Sequence, residues 1–291
     1  MNSLFDFQLP FELSTGSNWL YLLQAVVFLW LGSIAFAAMR KVSLARQLAE
    51  KDNPAFAISY AGFMAALALV ICSVIQSPSA PGLTAQSEFF ETIFWTFGSL
   101  ILLLVALLIN DFVIFPKFKN RKEILEDRNT GLAVVEASGF LGTALLIRAS
   151  LSPQLDPVEL GEPWLTLLYF VVGQALFLLY SKVYPKAAGL DLHGELEKDN
   201  PAVGIAFGGS LLAFALLLGS AKMKYDALPT LIFLALVYLA VLTLARFAIH
   251  LIFSKKLSLA AELQRDRNWG MGILEATLSL ALASLLIASL S

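Results

Sequence analysis

Cysteine and histidine are almost missing from this chain of 291 residues, which holds one Cys and two His. Cys72 alone cannot make an intrachain disulfide or a cysteine metal site, and it lies inside an apolar stretch. His193 and His250 are too few and too far apart for a local zinc motif, so no metal and no other cofactor is expected. Charge is scarce too. Charged residues are 14% of the chain, hydrophobic residues 58%, and mean hydropathy is +0.75. Soluble domains carry about 25% charged residues, so this is a membrane composition. A net charge of −2 argues for no nucleic-acid partner. No nucleotide-binding glycine pattern, nucleophile elbow or His-Glu-x-x-His motif occurs, and the chain is not expected to be an enzyme. The first eighteen residues hold no Lys or Arg, so no cleaved secretory leader is expected. Phe5, Phe7, Leu9, Phe11 and Leu13 alternate there, which fits an interfacial segment or a disordered tail equally well.

What is abundant is long apolar runs. A bilayer core needs about 20 apolar residues per helix. Eight segments qualify: 19–38, 55–75, 90–112, 131–147, 164–184, 202–220, 228–253 and 269–290. Helices satisfy their own backbone inside lipid, so an all-α membrane protein with eight transmembrane helices is expected. The connections after the odd-numbered spans hold nearly all the cations, among them Arg40, Lys51, Lys117, Arg121, Lys198 and Arg265. The positive-inside rule then puts those connections in the cytoplasm and both termini outside.

The chain repeats itself. Glu50-Lys51-Asp52-Asn53-Pro54-Ala55 returns as Glu197-Lys198-Asp199-Asn200-Pro201-Ala202. Asp127-Arg128-Asn129 with Gly131 and Glu136 returns as Asp266-Arg267-Asn268 with Gly270 and Glu275. Each half has an even number of spans, so the two insert in the same direction as parallel four-helix repeats. The expected organisation is an external N-terminal segment 1–18, a first repeat 19–149, an external joining loop 150–163 and a second repeat 164–291. The Asp/Asn signature also recurs within each half, which suggests an older hairpin copied four times.

These motifs resemble the YjfL-type bacterial inner-membrane family, domain-of-unknown-function family 350. Asp52–Ala55 and Asp199–Ala202 look like its first element, and Asp127–Glu136 and Asp266–Glu275 like its second. The resemblance implies a multi-pass protein of the bacterial plasma membrane in two tandem copies. It carries over no settled activity. It also implies a genomic context of envelope-stress proteins, which makes cytoplasmic stress-response proteins candidate partners beside the lipid bilayer.

Asn53, Asn129, Asn200 and Asn268 are good helix starts, because Asn accepts from first-turn amides and Pro54 and Pro201 suit the first helical position. Asp52, Asp127, Asp199 and Asp266 complement the positive helix ends. Capping accounts for them; a cytoplasmic mouth that binds a cation or a partner is the other reading. Glu136 and Glu275 each lie seven residues beyond their Asn, about 10 Å deeper. A carboxylate near a helix centre costs about 2.5–3.5 kcal/mol to insert, so each is expected to face the interior and have a partner. Asp111, Arg246 and His250, near the ends of spans three and seven, are candidate partners; they equally fit residues that snorkel to water. The expected function is passage or coupled movement of a small cation or proton through a site built on Glu136 and Glu275. The rival is a scaffold that docks envelope-stress proteins without transport. A homo-oligomer is compatible with either.

Overall fold

Long runs of Leu, Ala, Val, Ile and Phe become helices wherever a polar cap starts them and a turn residue ends them. The computed structural model describes residues 16–77, 82, 84–113, 120–151, 163–225, 227–253 and 259–290. The N-terminal segment up to residue 15 and the joining loop over 152–162 lie outside the described residues. All described elements are helices: α1 (Gly16–Arg40), a π-helical turn (Arg46–Glu50), α2 (Pro54–Gln76), α3 (Ala85–Val113), α4 (Asn120–Leu125), α5 (Thr130–Leu151), α6 (Pro163–Ala187), α7 (Leu192–Glu197), α8 (Pro201–Lys224), α9 (Leu228–Phe253), α10 (Leu259–Gln264) and α11 (Trp269–Leu290). Eight of them are long and apolar enough to cross a membrane: α1, α2, α3, α5, α6, α8, α9 and α11.

The four inner spans each begin from the same local turn. A short helical segment precedes α2, α5, α8 and α11. The residue just before the Asn is left-handed in all four: Asp52 at φ 47°, Arg128 at 57°, Asp199 at 50° and Arg267 at 48°. L-residues rarely adopt that region outside helix ends, so four occurrences at one motif position are the backbone mark of the repeat. The Asn amide then returns to the short segment: Asn53 to the Gln47 carbonyl at 3.0 Å, Asn129 to Glu123 at 2.9 Å, Asn200 to Glu195 at 3.1 Å and Asn268 to Glu262 at 3.0 Å.

These spans stand in a row, α2–α5–α8–α11, with α1 and α3 flanking one half and α6 and α9 the other. Small residues set the spacing. A Cβ on Gly62 of α2 would strike Ala137 of α5, and one on Gly209 of α8 would strike Ala276 of α11. Between the halves, a Cβ on Gly131 of α5 would lie 2.7 Å from the Asn200 carbonyl. Close approach of this kind is how helices associate without a hydrophobic drive in lipid.

Candidate functional site

The row fixes where the two deep carboxylates point. Glu136 on α5 turns towards α1 and α2 and is buried. Arg40, the last residue of α1, donates to its Oε1, and Ser59 of α2 donates to its Oε2. Arg40 also lies 5.8 Å over the Phe36 ring. Phe36, Phe56, Phe63 and Phe140 pack around one another there and are fully buried. Sequence reasoning missed Arg40 as a partner, because it counted only among the cations of the first connection. The signal was its place: it is the first cation after span one, and the helix runs on to reach it.

Glu275 on α11 faces the other way, towards α6 and α9, and is 2% exposed. Arg246 of α9 donates to its Oε1, and the Tyr184 hydroxyl of α6 lies 3.4 Å from the same oxygen. Glu275 Oε2 is buried and has no hydrogen-bond partner among the described residues. The buried Tyr180 hydroxyl likewise has none. Its ring stacks on Tyr184 at 5.1 Å and on Phe214 at 4.2 Å, close to the buried Ser210. The halves therefore differ in chemistry despite their shared motif. The contacts assign each glutamate its own arginine in its own half, from α1 in one and α9 in the other. Of the expected partners, Arg246 meets Glu275. Asp111 lies on α3 and His250 on α9, and their side chains are outside the described residues.

A crevice of about 570 Å³ opens at the opposite membrane end among α5, α8, α9 and α11. Arg148, Lys224, Tyr225 and Tyr238 help to line it. It includes neither glutamate, and of the helices that frame Glu275 it touches α9 at Tyr238 and α11 at Ile287. From Tyr238 to Arg246 along α9 is about 12 Å at 1.5 Å per residue.

The Asn motifs do more than cap. Asn53, Asn129 and Asn268 accept from the amides of Phe56, Leu132 and Met271, and Asn200 from Ala202 and Val203. Their amide groups also reach the next short segment along the row: Asn53 donates to the Ile124 carbonyl, Asn129 to Leu196 and Asn200 to Leu263. Asp199 does not serve its own helix. It caps α5, accepting from the Thr130 amide at 2.8 Å, the Thr130 hydroxyl at 3.0 Å and the Gly131 amide at 3.1 Å. Asp127 pairs with Lys122 at 3.3 Å. Asp266 is exposed, and hydrogen bonds from Arg265 hold its carboxyl below the usual carboxylate range.

Compared with known proteins, the chain matches the family described as Domain of Unknown Function (DUF350) over residues 11–151 and again over 159–290. It is similar to a UPF0719 transmembrane protein of Aquifex aeolicus (strain VF5), 26% identical over 189 residues, which is 65% of this chain and 64% of that protein. The chain thus spans less than two thirds of that relative's length. No solved structure matches.

Proposed function

The chain belongs to the DUF350 family, as two tandem copies in one integral membrane protein, and from that footing we propose that it moves a proton, or couples proton movement to a small cation, through a site centred on Glu275. The observation that carries this reading is the buried Oε2 of Glu275 without a donor. Buried polar atoms are nearly always satisfied, and a bare carboxylate oxygen inside a membrane bundle is a place for a proton or a water. A proton is favoured over a metal cation, because it neutralises the carboxylate where it stands, whereas a metal ion would be repelled by Arg246. On protonation the grip on Arg246 weakens, and Tyr184 offers a hydroxyl at the same carboxylate. The crevice among α5, α8, α9 and α11 supports an approach from the side opposite the Asn motifs, with about 12 Å of α9 between Tyr238 at its wall and Arg246. Glu136, with donors on both oxygens, is the structural member of the pair. The setting is the bacterial plasma membrane, with the Asn motifs in the cytoplasm.

Proteoliposomes with an entrapped pH dye test this, using an imposed membrane potential and a panel of monovalent and divalent ions. The purified protein should speed proton entry well above protein-free vesicles, and Glu275→Gln should remove most of the excess. A wild-type rate equal to empty vesicles with every ion would refute the proposal.

A second reading, a scaffold for cytoplasmic partners, rests on a different observation. The linked Asn motifs make a continuous platform at one membrane face. Under that reading Glu275→Gln is silent, and charge reversal at Lys117, Lys119 and Lys122 abolishes recruitment of envelope-stress proteins.

A further inference from the structure

The row of inner spans has two ends, and each end carries an unused copy of a contact made inside the chain. That internal contact is the one between α5 and α8. Along it, Gly204 of α8 meets Gly131 of α5, Gly208 meets Val134 and Ser138, Ala215 meets Gly142, and Gly219 meets Leu145 and Ala149. Three polar links seal its end: Asn129 to the Leu196 carbonyl, and the Thr130 and Gly131 amides to Asp199.

The repeat places the same two surfaces at the ends of the row. On α11 the counterparts of the α5 face are Gly270, Ile273, Thr277, Ala281, Ser284 and Ala288, and all six are exposed. On α2 the counterparts of the α8 face are Ala57, Ala61, Ala68 and Cys72; Ala61 and Cys72 are exposed and the other two half-buried. The polar parts are duplicated as well. Asn53, Asn129 and Asn200 are 1%, 1% and 0% exposed, whereas Asn268 is exposed. Leu196 and Leu263, whose carbonyls accept from the preceding Asn, are fully buried, but Leu48 in the equivalent turn is 36% exposed. Asp52 is exposed in the same left-handed conformation that lets Asp199 cap α5.

We infer that the chain associates head to tail with a second copy of itself, α11 of one copy packing on α2 of the next as α5 packs on α8 within the chain. Asn268 then donates to the carbonyl end of the Arg46–Glu50 turn of the second copy, and Asp52 of the second copy accepts from the Trp269 and Gly270 amides. The occupant is a second copy because the two open faces complement each other by the pattern the chain already uses, and each is continuous with the internal row. A single-copy protein would leave these small-residue faces against lipid and would leave Asn268 and Asp52 without the neighbouring turn and helix that Asn129 and Asp199 reach. Because the contact joins two different surfaces, it builds a ring if the rotation closes and a longer array if it does not. The inference is independent of the proton reading.

Cross-linking tests it with a cysteine the chain already owns. Cys72 is the counterpart of Gly219, and a Cβ on Gly219 would lie 3.6 Å from the Ala149 Cβ. That is within the disulfide range of about 3.5–4.5 Å. Ala149 corresponds to Ala288. Ala288→Cys, oxidised in native membranes, should therefore link to Cys72 of the neighbouring copy. A non-reducing gel should show dimers and higher species, all lost with Cys72→Ser. The pair Ala149→Cys with Gly219→Cys, in a Cys72→Ser background, should close within the monomer and shows that the oxidation works. Ala281→Phe points outward in a lone chain and should leave expression unchanged while cutting the cross-linked yield several-fold. Monomer alone in Ala288→Cys, with the internal control closed, overturns the inference. So do dimers that persist after Cys72→Ser, which would mean α11 on α11, or an adduct of different mass, which would mean another protein covers this face.

Discussion

At the scale of single residues, the two glutamates share a motif but differ in how their oxygens are satisfied. Glu136 has Arg40 on one oxygen and Ser59 on the other. Removing one member of a buried pair strands the other charge, at a cost of about 3–5 kcal/mol, while replacing both by apolar residues is often nearly neutral. Arg40→Leu should therefore destabilise the bundle by about 3–5 kcal/mol in detergent unfolding, and adding Glu136→Leu should recover most of that loss. A double variant no more stable than the single would show that Glu136 has work beyond its pair. Glu136 and Glu275 stood out in the sequence because their depth and duplication are linear features. Arg246 was among the expected partners and Arg40 was not, since Arg40 and Glu136 are joined only by the packing of the α1 end against α5.

At the scale of elements, the spans were legible and the turns between them were not. Long apolar runs with Asn-Pro starts announce α2 and α8 directly, and the helices begin at Pro54 and Pro201. α4, α7 and α10 have six residues each, too short for a hydrophobic period to emerge from polar sequence. Yet they receive the Asn53, Asn129 and Asn200 side chains and so hold the row in register. The reach of Asp199 to α5 was hidden for the same reason: it depends on which helix is next door. Register within the row rests on glycine. Gly62→Leu and Gly209→Leu should each sharply lower folded yield, because the new side chain meets Ala137 or Ala276 of the adjoining helix. Gly98→Leu should be tolerated, since a Cβ there meets nothing within 4 Å. The readout is the monodisperse fraction on size-exclusion chromatography, and equal loss at all three sites would argue against close packing as the cause.

At the scale of the whole molecule, eight spans place the starts of α2, α5, α8 and α11 on one side of the membrane. The crowding of cations in the connections on that side predicts that it is the cytoplasm. In a Cys72→Ser background, an impermeant thiol reagent applied outside should label Ser79→Cys and Gln154→Cys but not Asn120→Cys; the reverse pattern would invert the orientation. Duplication explains how one architecture holds two unlike sites. The row is shared, while the outer helices differ, with α1 supplying the cation in one half and α6 and α9 supplying a tyrosine and an arginine in the other. On the proposed function, proton handling falls to the half whose carboxylate keeps an open oxygen.

Infrared difference spectroscopy of the membrane-embedded protein, stepped in pH, tests that assignment most directly. If Glu275 takes up the proton, a carboxylic-acid stretching band appears with acidification, persists in Glu136→Gln and is lost in Glu275→Gln. A band that survives Glu275→Gln, or that vanishes instead with Glu136→Gln, would contradict it.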